Sequence, residues 1–410
     1  MTRVLVYSIA YPPDSVSTGR LLGALTSDLT GRGYAVEVVT TTPHHRPDGE
    51  LSASQVLRPV INGVLFQSEY AGARVWHIAT GRRSVRLLRR LAALAAFHAL
   101  SSIVLLSRLR RADLILVVSP PLTLGAVGGI AARLFRVPMV YNVQELYPDF
   151  LINQGFVEKR ATIAILRKVE SFVYASSHRI AVIGERFRRR VMELGVPESR
   201  IVVIPNFSTD PPAHDYTAGV NPGRSEDLVV YYGGNIGLSQ DWELLLEVAD
   251  RLRDVPVRFV ISGDGARAAW LRKEVEDRML SSVDFVGSVS LSTVAALYAQ
   301  CDVVAVPMKA RACLDTFPSK LYSAFAAGRP VIISAEMESD AAELVAGACA
   351  GIVVPPADCG AFVSGLRYLL ANRETLPEYG QRGLRAVRKY DAAAAGSLYD
   401  RLIDDVLTDR

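Results

Sequence analysis

The chain has only four cysteines in 410 residues, Cys301, Cys313, Cys349 and Cys359. None forms a C-x-x-C pair and no histidine cluster lies beside them, so the spacings of a zinc site are missing. Buried, reduced thiols are the expectation. Net charge is only +4, from 46 basic and 42 acidic side chains, which argues against a dedicated nucleic-acid binder. No G-x-G-x-x-G follows the first strand-like run at 4–9, which argues against a plain NAD enzyme. The N-terminus lacks the charged start, apolar run and small-residue cleavage site of a signal peptide, and cytoplasmic residence is expected. No repeat of solenoid period occurs.

What is present is alternation. Short β-branched runs at 4–9, 36–41, 114–118, 139–142 and 201–204 are separated by longer helical patterns. A second series follows at 228–232, 257–262, 283–286, 303–306, 331–333 and 352–354. Continuous apolar strands imply burial on both faces, hence an α/β fold with doubly wound parallel sheets. Residues 208–226 are rich in Pro, Gly, Asp, Ser and Asn and lack periodicity, as a linker would. This divides the chain into an N-terminal domain, 1–207, and a C-terminal one, 227–390. Ligands of such sheets sit at the carboxyl ends of the strands, so two facing sheets would share one cleft.

No acidic residue occurs between Glu69 and Asp113, a window that carries Arg74, Arg82, Arg83, Arg86, Arg89, Arg90, Arg108, Arg110 and Arg111. Within it, residues 91–106 have only His98, Ser101 and Ser102 as polar interruptions. At 1.5 Å per residue such a helix covers roughly 24 Å, short of the ~30 Å hydrocarbon core. Two readings stand: a core helix with solvated arginine ends, or a helix lying in the surface of an anionic inner leaflet.

Several strand ends carry glycine. Gly233-Gly234-Asn235-Ile236-Gly237 follows one run, Gly263-Asp264-Gly265 the next, and Gly287 a third. Such sequences let backbone approach an anion, and they also make ordinary tight turns. Pro318-Ser319 is a helix start with Ser as cap, which puts Lys320 in the first turn, against the helix dipole. An anionic partner such as phosphate would account for that charge, as would a solvated side chain.

These residues resemble bacterial GT-B glycosyltransferases of glycosyltransferase family 4, and the WbuB-like branch in particular. The likeness runs over the whole chain. Its markers are Tyr11-Pro12-Pro13 with Gly19, Ser119-Pro120-Pro121, Gln144-Glu145-Leu146-Tyr147-Pro148, the glycine stretches above, Pro318-Ser319-Lys320-Leu321 and Ala327-Gly328-Arg329-Pro330. The resemblance implies a retaining transfer from a nucleotide-sugar, usually UDP-linked, with no cofactor and no obligatory metal. It implies a lipid-linked or saccharide acceptor on the N-domain. The Arg-rich segment 82–111 adds the expectation of a peripheral place on the inner membrane face, and the small net charge that of no nucleic-acid partner. It assigns Gly19, Gly234, Asn235 and Gly237 to the diphosphate, Gly263, Asp264, Gly265, Val286 and Gly287 to the nucleoside, and Glu343 to the ribose. Asp315, Ser319, Lys320 and Leu321 complete the donor set, with Lys320 as the cation and Glu145 as the acceptor-facing carboxylate. The wider family carries glutamates where Asp315 and Ser323 stand, and Arg and Lys where Asn235 and Gln240 stand. The last helix, 391–410, is expected to cross back onto the N-domain. A nucleotide-sugar 2-epimerase and a non-catalytic binding scaffold share the fold and remain alternatives.

Overall fold

The structure, a computed structural model, describes residues 1–14, 16–43, 55–79, 87–209 and 226–409, with side chains in the helix Leu87–Leu109 described from residue 92. It forms two units, Met1–Thr209 with Ala392–Arg410, and Asp210–Asp391. Of the linker expected at 208–226, residues 210–225 lie outside the described residues.

Among the described residues the first unit has nine strands: β1 Arg3–Tyr7, β2 Ala35–Thr41, β3 Arg58–Ile61, β4 Leu65–Tyr70, β5 Ala73–Ile78, β6 Leu114–Val118, β7 Met139–Val143, β8 Arg179–Val182 and β9 Ile201–Val203. Their order is β3-β4-β5-β2-β1-β6-β7-β8-β9. The β3–β4 and β4–β5 pairs are antiparallel, the others parallel. β6 and β7 are buried at every residue, which is why they read as unbroken apolar runs. β3 is exposed throughout and β4 is mostly half-exposed, so neither has an apolar run to announce it. β8 is four residues long and begins on an arginine.

The second unit holds β10 Leu228–Asn235, β11 Val257–Asp264, β12 Val283–Gly287, β13 Val303–Pro307, β14 Val331–Ser334 and β15 Gly351–Val354, all parallel, in the order β12-β11-β10-β13-β14-β15. Two apolar layers sandwich the sheet. Val230 and Tyr232 of β10 enter one of them, with Trp242, Phe259 and Phe362. Tyr231 enters the other, with Val304, Leu321 and Phe325. In both units the strand order reverses beside the first strand, between β1 and β6 and between β10 and β13. A crevice opens at the carboxyl edge of such a reversal.

The helix Ala392–Thr408 returns to the first unit, where it lies on the helix Ser17–Gly31. Tyr34 donates to Asp400 at 2.6 Å and Arg32 to the Ala393 carbonyl at 3.1 Å. Gly396 sits so close to the Asp28 carboxylate that any added Cβ would force that side chain to shift. Three cysteines are buried as expected, but Cys349 is exposed, at a positive-φ position that follows the helix Asp340–Gly347.

The Arg-flanked apolar run belongs to the helix Leu87–Leu109, longer at both ends than the run itself. Phe97, Ser101, Val104, Leu105 and Leu109 are buried. Tyr7 of β1 stacks on Phe97 at 6.0 Å and hydrogen-bonds Ser101 at 2.7 Å. The opposite side exposes Ala92, Ala95, Ala96, Ala99, Ile103 and Leu106. The helix is therefore a packed member of the fold, as the core-helix reading expects, and it also carries a bare apolar face. Arg82, Arg83 and Arg86, and the side chains of Arg89 and Arg90, lie outside the described residues.

Candidate functional site

In the second unit the glycines are not loops beyond the strands. β10 and β11 run on to Asn235 and Asp264, and Gly234 pairs with Gly263 in register. Gly263 has φ +131°, and an added Cβ would strike the Gly234 carbonyl. Its glycine is explained by the close strand crossing alone. Gly234 has φ +121°, and a Cβ there would meet nothing within 4 Å. Only its conformation requires glycine, and the space before it is open. An added Cβ on Gly265 would collide with the Ile236 carbonyl.

The Gly237 N–H, expected to face an anion, is already taken by the Gln240 side chain at 3.1 Å. Trp242 donates to the Gly237 carbonyl at 2.9 Å, and Asp241 caps the helix Trp242–Arg251 through the Leu244 N–H. This stretch is thus held rigidly by its own side chains. Asn235 and Asp264 stand exposed side by side at the carboxyl edge. Val286 is exposed next to Gly287, which has φ +80° and pairs with Ser262.

Lys320 opens the helix Lys320–Ala326. Ser319 occupies the cap position but its side chain makes no capping bond. The lysine side chain is partly covered, and its terminal amine is shut off from solvent. Nζ lies 3.4 Å from the centre of the Tyr232 ring and has no hydrogen-bond partner. Tyr232 in turn donates to the Asn235 carbonyl at 2.6 Å, tying lysine, aromatic ring and strand end into one cluster. Burial holds the amine well below the usual lysine range, because nothing replaces its lost hydration. Tyr232 opens the marker Tyr232-Gly233-Gly234-Asn235-Ile236-Gly237, but the sequence alone assigns its side chain no role.

Leu321 is in the apolar core and its N–H bonds the Pro318 carbonyl at 3.0 Å, so neither its side chain nor its amide faces a ligand. Asp315 is buried at the end of the helix Ala312–Asp315. Glu343 is exposed in the first turn of the helix Asp340–Gly347, which Ser339 caps.

Gly19 and Glu145 belong to the first unit. A Cβ on Gly19 would come within 2.7 Å of the Asp14 carbonyl, so the glycine lets the helix start against the loop after β1. Glu145 follows β7. Burial raises its carboxyl to about 7 despite a hydrogen bond from Tyr147. The preceding residue is fixed from three sides. Gln144 takes Ser119 Oγ on its N–H at 3.0 Å, donates to Asn142 Oδ1 at 2.7 Å and accepts from Asn206 at 2.7 Å. Asn142 also bonds Tyr399 of the returning helix. Asp149, four residues after Glu145, is held by Arg167 and by Arg190 at 2.7 Å. The segment 144–149 thus presents a near-neutral carboxyl on a fixed frame. Among the described residues, no three His, Cys, Asp or Glu side chains gather as metal ligands.

Comparison with known proteins extends this picture. Residues 18–206 match the family model described as a glycosyl transferase 4-like domain, and 227–372 match that of glycosyl transferases group 1. WcaI of Escherichia coli K12, named for glycosyl transfer in colanic acid biosynthesis, is 27% identical over 93% of this chain and 96% of its own. Among solved structures, sucrose-phosphate synthase from Thermosynechococcus elongatus aligns over 100% of both chains with a TM-score of 0.77 and 16% identity. Anabaena HepE in complex with UDP aligns over 99% of this chain and 100% of its own, with a TM-score of 0.69 and 15% identity.

Proposed function

The chain is a glycosyltransferase with the GT-B fold, and on that premise we propose that it draws its sugar from a UDP-linked donor bound at the carboxyl edge of β10. The observation that carries this reading is Lys320: a buried amine with no partner, set against the strand that ends in Gly234 and Asn235. A diphosphate would give that amine the counter-charge it lacks. As the glycosidic bond to phosphate breaks, negative charge grows on the leaving oxygen, and a desolvated cation stabilises it strongly. Asn235 and the Gly234 backbone lie where they would hold the same group. Asp264, Val286, Gly287 and Glu343 would line the nucleoside.

The acceptor, a lipid-linked or saccharide hydroxyl, would be oriented by Glu145 of the first unit, whose raised carboxyl suits it to share a proton near neutral pH. The configuration at the anomeric carbon is retained, the leaving phosphate itself taking the acceptor proton, and no metal is required. Assembly of a cell-surface polysaccharide or glycoconjugate on the inner membrane face is supported by WcaI's name. Membership of the WbuB-like branch rests on the sequence motifs. The test is UDP release from a panel of UDP-sugars in EDTA, with membrane extract as acceptor source, and NMR of the product anomer. Acceptor-dependent UDP release giving a retained anomer is expected. Interconversion of the donor without acceptor would replace the transferase reading with an epimerase, and no turnover with any nucleotide-sugar would favour a binding scaffold.

A further inference from the structure

The bare face of the helix Leu87–Leu109 does not stand alone. The helix Leu122–Phe135 lies beside it, and two contacts fix their register: His98 Nε2 to Thr123 Oγ1 at 2.8 Å, and the Arg110 guanidinium 5.8 Å from the Phe135 ring. Both pairs are 25 residues apart, so the helices run parallel and in step. That register sets Ile130 and Leu134 opposite positions 105 and 109, so they overlap and extend past Ile103 and Leu106 toward the carboxyl ends of the helices. All four are exposed, by 66%, 37%, 61% and 68%. Large aliphatic side chains this bare on two adjacent helices form a patch, not scattered singles.

The charge around the patch has one sign. From Tyr70 to Gln144 the chain has eleven arginines and a single acid, Asp113, whose carboxylate accepts the Arg3 N–H at 2.9 Å. Neither helix contains an acidic residue. Arg110, Arg111, Arg133 and Arg136 are exposed at the carboxyl ends of the two helices, and the sequence sets Arg89 and Arg90 at the start of the first. Beside Arg133 and Arg136 opens a cleft of about 510 Å³ that also has Ser176 and His178 on its walls, so the arginine row is backed by a polar recess. Apolar centre and cationic ends on a flat helix pair match an anionic bilayer, with aliphatics among the acyl chains and guanidinium groups at the phosphates.

We propose that the helices Leu87–Leu109 and Leu122–Phe135 together form one membrane-docking face that lies flat on an anionic lipid surface, with Ile103, Leu106, Ile130 and Leu134 as its inserting residues. This deepens the inner-membrane part of the proposed function and rests on it. The second helix, outside the Arg-rich window, supplies half of the insertion. The experiment is vesicle flotation of the full chain, with phosphatidylglycerol-containing and pure phosphatidylcholine vesicles. Variants are Ile130→Ser/Leu134→Ser, Arg133→Gln/Arg136→Gln, and Met337→Ser, an exposed methionine of the second unit, as control. Circular dichroism and UDP binding would show that each variant is folded.

The wild type is expected to float only with anionic vesicles. The serine pair should cut partitioning at least tenfold. Each arginine near such a surface is worth about fivefold, so the glutamine pair should cost roughly 25-fold. Met337→Ser should change nothing. Absence of vesicle binding by the wild type would overturn the proposal, while the UDP-release assay judges the donor site separately. Binding that survives both pairs would overturn the two-helix face and leave docking to the first helix and its arginines. A concentration-dependent dimer abolished by the serine pair, with vesicle binding unaffected, would replace the lipid by a second copy of the chain.

Discussion

Replacing Lys320 by methionine keeps the length and apolar stem of the side chain and removes only the charge. In the free protein that amine is buried 3.4 Å from the Tyr232 ring with no hydrogen-bond partner, and burial disfavours its charged form. Stacking a desolvated cation on an aromatic ring returns ~2 kcal/mol or more, which offsets part of the ~1–3 kcal/mol, more if charged, that an unsatisfied buried polar group costs. Lys320→Met should therefore leave stability unchanged or raise it by up to ~2 kcal/mol. With a diphosphate present the sign reverses. The wild type gains a charge-assisted bond worth ~1.5–3 kcal/mol, so the variant should bind UDP about 10- to 150-fold more weakly. Thermal unfolding with and without UDP, together with isothermal titration, reads both effects. The amine's lowered pKa adds a second readout: diphosphate favours the charged form, so the wild type should take up a proton on binding and its heat should depend on the buffer. Affinity should fall as pH rises, because the proton becomes harder to acquire. A destabilised variant that binds UDP like wild type would mean that Lys320 is structural, and the argument from its burial would fail.

Three further outcomes follow from particular residues. The Glu145 carboxyl, raised to about 7 by burial, should give kcat/KM a rising limb near pH 7 if its ionised form assists the acceptor, and Glu145→Gln should abolish the limb. Its raised value also means that the folded state holds the proton more tightly than the unfolded chain, so its contribution to stability should decline from about pH 4.5 to about pH 7 and then level off, a trend missing from urea titrations of Glu145→Gln. Gly263→Ala should lose clearly more stability than Gly234→Ala in chemical denaturation, since both pay strain of ~1–3 kcal/mol for positive φ but only the first drives a Cβ into backbone.

In the second unit β13 and β14 are buried at every residue and read as uninterrupted apolar runs, whereas β12 and β15 are half-exposed and are marked by their β-branched residues and flanking glycines. The antiparallel strands β3 and β4 were not legible, because exposure removes that run, and a four-residue strand such as β8 is too short to show one. Lys320 could be singled out from its place at a helix start, yet its partnerless burial depends on Tyr232, 88 residues earlier. The glycines have different structural reasons. Gly263 and Gly265 answer to the backbone of the neighbouring segment, the Gly237 N–H is spent on Gln240, and only Gly234 faces open space. The frame that holds Gln144 and Glu145 was out of reach, since it draws on Asn206 and Tyr399 from the two ends of the chain segment that leaves and re-enters the first unit.

The central claim, a nucleoside diphosphate at the carboxyl edge of β10, is tested most directly by amide hydrogen exchange with and without saturating UDP. Slowed exchange in peptides covering 232–237 and 318–322, weakened in Lys320→Met, is the predicted result. Protection confined to the first unit, or none at either segment, would contradict it.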